Sequence, residues 1–176
     1  MHRDNKHHFC NRLNQEGSII FRSLFSRPLT GSIAPETVAA VDLGSNSFHL
    51  IMARLLEGSL QIIDREREMV RLAAGLDSNN NLSDEAMQRA MACLTRFGQL
   101  LRDMPPGSVR VAGTNTLRKA RNAQVLIEHA EEVLGHPVEI IAGVEEARLI
   151  YLGVAHGLSD AGGSRLVVDI GGGSTE

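Results

Sequence analysis

The chain has 176 residues, 43% of them hydrophobic, which is enough for one full core and the opening of a second. Its 18 basic and 21 acidic side chains exclude a global field that would draw it to nucleic acid or a membrane surface, so any anion it binds must be held locally. No apolar run approaches the roughly 20 residues that span a bilayer. The two cysteines, Cys10 and Cys93, do not suggest a disulfide framework, and a reducing cytoplasm is the expected compartment.

Residues 1–36 mix Arg, Lys and His with Asp4 and Glu16, and their longest apolar stretch, Ile19-Ile20-Phe21, is too short for a secretory core. They read as a disordered extension or the product of an early start codon. The cluster His2, His7, His8 and Cys10 lacks the paired second half that a zinc site needs.

From Thr37 the character changes. Val38, Ala39, Ala40, Val41 and Leu43 predict an apolar strand ending in the turn-prone Gly44-Ser45-Asn46. A second strand follows over residues 48–55. Glu57-Gly58-Ser59 then predicts a hairpin turn, with Leu60, Ile62 and Ile63 returning toward Val70, so the first three strands should be antiparallel neighbours. Residues 75–81 read as a polar loop. Ser83 suits an N-cap with Asp84 and Glu85 in the first turn, and Ala86, Ala90, Leu94, Phe97 and Leu101 give a helix one buried face until Met104-Pro105-Pro106-Gly107 ends it.

A short strand over residues 109–112 empties into the loop Gly113-Thr114-Asn115-Thr116. Val125, Leu126, Ala130, Val133 and Leu134 mark another helix, closed by Gly135. Residues 137–142 predict a strand, followed by a helix entered at Glu145 that carries Ala147, Leu149, Ile150 and Val154. Gly162-Gly163 turns the chain into a last strand over residues 166–170.

Open α/β sheets place ligands beyond the carboxyl ends of their strands, and here those ends read VDLGSNS, AGTNTLR, AGVEEAR and DIGGGSTE. Glycines let backbone N–H groups approach an anion, so the loops from Gly44 to Ser47 and from Gly171 to Ser174 could grip a phosphate chain between them. Arg118, just past its loop, offers a planar fork for phosphate. Asp42 and Asp169 each stand near the end of an apolar strand before a glycine loop. Burying an unpartnered carboxylate is costly, so each should face magnesium, a metal-bound water or a loop N–H. Glu145 and Glu146 open a helix, where acidic residues suit the dipole; hydrolysis would need one of them to position water and take its proton.

The segments AAVDLGSNSFHL, GTNTLRKARNA, EIIAGVEEARLIYLGVAH and LVVDIGGGSTE, in this order, closely resemble the bacterial exopolyphosphatase / guanosine pentaphosphate phosphatase family. The resemblance covers residues 37–176. It implies an α/β, ribonuclease-H-like (actin-like) fold with a mixed sheet, residues 37–135 forming the first such domain and 136–176 opening a second. It also implies that Glu146 is the catalytic base and Arg118 a phosphate-contacting arginine. Ser45, Asn46 and Ser47 would then form the first phosphate loop, Gly172, Gly173 and Ser174 the second, and Asp169 and Glu176 would be acidic residues associated with magnesium (Mg2+) and catalysis. Glu145 is left as a helix-start residue.

Family members continue well past the last loop, so these residues are expected to be either a fragment of a longer enzyme, a homodimer in its full form, or a truncated reading frame, with little activity alone. GTNTLR and GGGSTE lean toward inorganic polyphosphate as substrate, VRLAAGL and ARLIYLGVAH toward guanosine pentaphosphate; polyphosphate is the modest preference. Two rival readings remain: an ATP-binding kinase or ATPase of the same superfamily, and a non-catalytic phosphate-binding module.

Overall fold

The computed structural model describes residues 36–56, 59–157 and 164–176. Five strands form one mixed sheet in the order β3-β2-β1-β4-β5. Strand β1 (Glu36–Leu43) lies at its centre, antiparallel to β2 (Phe48–Leu56) and parallel to β4 (Val109–Gly113). Both faces of β1 are covered, Ala39, Val41 and Leu43 on one side, Val38 and Ala40 on the other, which explains its unbroken apolar sequence.

Strand β3 (Ser59–Glu68) is an edge. Its run Asp64-Arg65-Glu66-Arg67-Glu68 is a charged border of the kind that discourages pairing with another chain. A register shift opposite Met52 and Ala53 leaves Ile63 out of the ladder and exposed. The other edge, β5 (Val138–Ile140), pairs parallel with β4.

Helix α1 (Asp84–Leu101) is capped by Ser83, whose Oγ accepts from the Ala86 N–H at 3.3 Å. Ala86, Ala90, Leu94, Phe97 and Leu101 are buried, as the helical spacing requires. They join Val41, Leu43, Phe48, Leu50 and Val111 in the main core. Helix α3 (Ala123–Leu134) lies against α1 and ends at Gly135, whose φ of 70° gives the left-handed cap that glycine adopts without steric cost. The two helices come close at Gly98, where an added Cβ would stand 2.0 Å from the Val133 carbonyl oxygen. Helix α4 (Gly143–Gly157) covers the opposite face of the sheet through Leu149, Ala112 and Ile141.

Several expectations need correction. The stretch after β4, expected as a loop, contains the short helix α2 (Asn115–Lys119), with Asn115, Thr116 and Leu117 buried. The boundary expected between residues 135 and 136 falls inside the sheet, because β5 continues it by pairing with β4. Residues 166–170 do not form a sheet strand: Leu166, Val168 and Ile170 are 87%, 58% and 77% exposed, and Ile170 bridges only to Thr175. Apolar alternation predicts a strand, but a strand needs a partner edge and a covering layer, and the described residues supply neither. The expected extension, apart from Glu36 in β1, and the turns at Glu57-Gly58 and Gly162-Gly163 lie outside the described residues.

Candidate active site

Strands β1, β4 and β5 run parallel, so their carboxyl ends open on the same side of the sheet. The β1–β2 loop from Gly44 to Ser47 is tight: a Cβ at Gly44 would lie 2.7 Å from the Ser47 carbonyl oxygen. Its outer carbonyls are tied down, Asn46 O by the Arg71 N–H at 2.7 Å and Ser45 O by the Ala73 N–H at 2.9 Å. The segment 169–176 folds into a small hairpin, in which Asp169 and Glu176 exchange backbone hydrogen bonds of 2.9 and 3.0 Å and the Gly171 N–H reaches Ser174 O at 3.0 Å.

The tip of this hairpin rests directly on the first loop. A Cβ at Gly172 would stand 2.7 Å from Asn46 Cβ and 3.2 Å from its backbone nitrogen; one at Gly173 would stand 2.7 Å from both Ser45 Oγ and Asn115 Nδ2. Glycine is required at both positions by proximity rather than by backbone angle. Helix α2 clasps both loops, since the Thr116 hydroxyl donates to Ser45 Oγ at 2.8 Å and Asn115 Nδ2 donates to the Gly173 carbonyl.

Between the loops lies a cleft of about 110 Å³, lined by Asp42, Gly44, Ser45, Asn46, Ser47, His49, Thr114, Glu146, Ile150, Asp169, Gly171, Gly172, Gly173 and Ser174. The two glycine loops, both strand-end aspartates and Glu146 therefore converge on one cavity. Arg118 and Glu176 do not line it. Arg118 Nη1 donates to Glu146 Oε2 at 2.8 Å and to the Ile141 carbonyl at 2.5 Å, so it reaches the cleft through Glu146. His49, Thr114 and Ile150, with the clasping residues Asn115 and Thr116, were not legible as site residues; the signal for the threonines and Asn115 was their place after a strand, and His49 carried none beyond its nearness to the glycine turn.

The two glutamates at the start of α4 separate clearly. Glu145 is on the surface, and its bond to Arg148 holds its carboxyl below the usual range. Glu146 is only 7% exposed. Burial pushes its carboxyl up, the Arg118 guanidinium pulls it back down, and the charges of Glu176 and Asp169 push it up again. Asp169 is likewise raised by burial and then by Glu176. Burial, then Arg67, lowers His49 below the ordinary imidazole value.

These acidic groups repel one another across a small space, and Glu176 Oε2 is buried without a hydrogen bond. A cation would relieve both. Among the described residues no three His, Cys, Asp or Glu side chains form a ready cage. Magnesium does not need one: it commonly takes one or two carboxylates and fills its shell with water and substrate oxygens. The acidic set present fits that mode.

A mixed α/β sheet with paired glycine loops over a buried glutamate belongs to the ribonuclease-H-like, actin-like fold class. More particularly, the chain belongs to the Ppx/GppA phosphatase family, whose profile matches residues 51–176. It is 51% identical over 148 residues to a guanosine-5'-triphosphate,3'-diphosphate pyrophosphatase of Aliivibrio fischeri, covering 84% of this chain and 30% of that protein. A Vibrio parahaemolyticus protein of the same name is 54% identical over 138 residues, covering 78% and 28%. The chain thus spans about 30% of the length of the curated relatives it matches. Among solved structures it resembles an exopolyphosphatase from Cytophaga hutchinsonii, with TM-score 0.74, 31% identity and coverage of 80% of this chain and 45% of that one. The Aquifex aeolicus PPX-GPPA enzyme gives TM-score 0.71 at 31% identity, with coverage of 81% and 47%. Among the described residues no helix is long and apolar enough to cross a membrane.

Proposed function

We propose that this chain supplies the terminal-phosphate half of a phosphoanhydride hydrolase site. The observation that carries the reading is the contact of Gly172 and Gly173 with the Ser45-Asn46 turn, beside a buried Glu146. Backbone N–H groups and the Ser45, Ser47 and Ser174 hydroxyls hold the terminal phosphoryl oxygens, and no lysine or arginine of the cleft lining is needed to do so. Glu146 orients a water molecule and takes its proton as the water oxygen bonds to phosphorus; the bond from phosphorus to the bridging oxygen breaks, and that oxygen leaves with its electron pair on the shortened substrate. Burial suits this role by raising the carboxylate's basicity.

Arg118 holds Glu146 in the resting site and keeps further guanidinium donors for a phosphate oxygen once substrate arrives. Asp42, Asp169 and Glu176 would hold Mg2+, which when bound supplies positive charge against the phosphate oxygens. The segment after α4, residues 166–176, would begin a second domain, with its first packed strand at 166–170 completed by the rest of a longer enzyme that acts as a homodimer in the cytoplasm.

The names and 51–54% identity of the curated relatives favour guanosine pentaphosphate as substrate, with inorganic polyphosphate, named for the 31% identical structure, as the second reading. The test is a chimaera in which this chain is continued by the remainder of the Aliivibrio fischeri protein, assayed for phosphate release from both substrates. Glu146→Gln should cut turnover by about 10²–10⁴-fold while leaving binding intact. Unchanged turnover would remove Glu146 from the base role.

A further inference from the structure

Ser47 closes the first loop, and its Oγ lies 2.9 Å from His49 Nε2. His49 is on β2, in register with Asp42 of β1 on one side and Arg67 of β3 on the other, and it lines the cleft. Ladder pairing on both sides fixes the imidazole's origin, whereas Ser47 sits in a loop where a hydroxyl has three staggered rotamers to choose from.

The direction of this hydrogen bond decides what Ser47 offers to a ligand. If Nε2 accepts the hydroxyl proton, Ser47 turns only lone pairs toward the cleft, and these repel a phosphate oxygen. If Nε2 carries the proton and donates it, the Ser47 O–H is free to donate in turn. We propose that His49 is a positioning residue of the anion site, whose Nε2–H donates to Ser47 Oγ and so commits the Ser47 hydroxyl as a donor to a phosphate oxygen. The inference deepens the function proposed above and rests on the cleft being a phosphate site. The chain of donors runs from a strand-anchored ring, through a loop hydroxyl, into the cavity, so the ring acts on the ligand through Ser47.

The experiment is a double-mutant cycle on tripolyphosphate binding by this chain, read by titration calorimetry, with thermal melts to show that each variant is folded. His49→Ala and Ser47→Ala should each weaken binding about tenfold, the loss of one hydrogen bond to a charged group, and the double variant should be no worse than Ser47→Ala. His49→Gln, whose Nε2 can stand where the imidazole nitrogen stood, should recover most of the loss. Multiplying effects in the double variant, or His49→Gln no better than His49→Ala, overturns the proposal. A second reading avoids mutation: the ¹⁵N shifts of His49 in the unsubstituted chain with tripolyphosphate bound should report a protonated Nε2, and a ring protonated only at Nδ1 overturns it. Failure of the unsubstituted chain to bind tripolyphosphate removes both this inference and the phosphate-site reading. Binding that His49→Ala leaves unchanged removes this inference alone.

Discussion

Replacing Gly173 by alanine should part the two loops without unfolding the sheet. The new methyl group would stand 2.7 Å from Ser45 Oγ and from Asn115 Nδ2, whereas non-bonded heavy atoms rest at about 3.5–4.0 Å. Relief therefore needs a displacement of about 1 Å, and Ser45 is held by Thr116, so the hairpin tip must move instead. A shift of that size carries an N–H···O bond of about 2.9 Å beyond useful length. A hydrogen bond to a charged group is worth about 1.5–3 kcal/mol, so losing one weakens phosphate binding roughly 10- to 150-fold. The hairpin lies outside the hydrophobic core, so the free energy of unfolding should change by less than about 1 kcal/mol. Gly171→Ala is the control, because its methyl would meet only the Ser174 carbonyl oxygen at 3.4 Å. Titration of each variant with tripolyphosphate, beside urea unfolding, provides the comparison. If Gly173→Ala bound as tightly as the parent, or Gly171→Ala lost as much, the two-loop cradle would be wrong.

Two further outcomes follow from the packing and charge of the molecule. Arg118→Met removes the group that pulls the Glu146 carboxyl down, so that carboxyl should titrate at still higher pH than in the parent. A carboxyl raised on folding favours the folded state below its unfolded value, and that contribution is lost as pH rises through the folded value. The variant should therefore be destabilised by roughly 1–3 kcal/mol at neutral pH, with the gap narrowing in acid; urea midpoints showing an equal deficit at every pH would refute this. Gly98→Ala should cost about 1–3 kcal/mol or more, because the obstructing atom, Val133 O, is backbone and the helices themselves must separate. Its urea midpoint should fall while tripolyphosphate affinity stays as in the parent, and an unmoved midpoint would contradict the α1–α3 contact.

Much of this molecule is written in local patterns. The apolar run of β1, the hairpin-forming strands that follow it and the 3.6-residue spacing of α1 each depend on side chains within a few residues of one another, so they are legible in the chain. The glycine turns were also visible, because a turn advertises itself through the residues that permit it. Helix α2 was not: Asn115 and Thr116 are poor helix formers, and their burial is decided by distant partners, Gly173 and Ser45. The same is true of the ends of the chain's apolar pattern. Residues 166–170 alternate as a strand should, yet pairing is a property of two segments, and among the described residues no neighbouring strand meets them.

The sequence by itself determined which residues can lie close to an anion and which carboxylates stand near them. The family resemblance implied Glu146 over Glu145, but only the tertiary structure gave the physical ground, placing Glu146 in the cleft, Arg118 behind it and His49 beside Ser47. The reason is geometric: a helix turns its side chains by about 100° per residue, so two adjacent glutamates face different surroundings, and which one meets the cavity depends on how α4 is laid against the sheet.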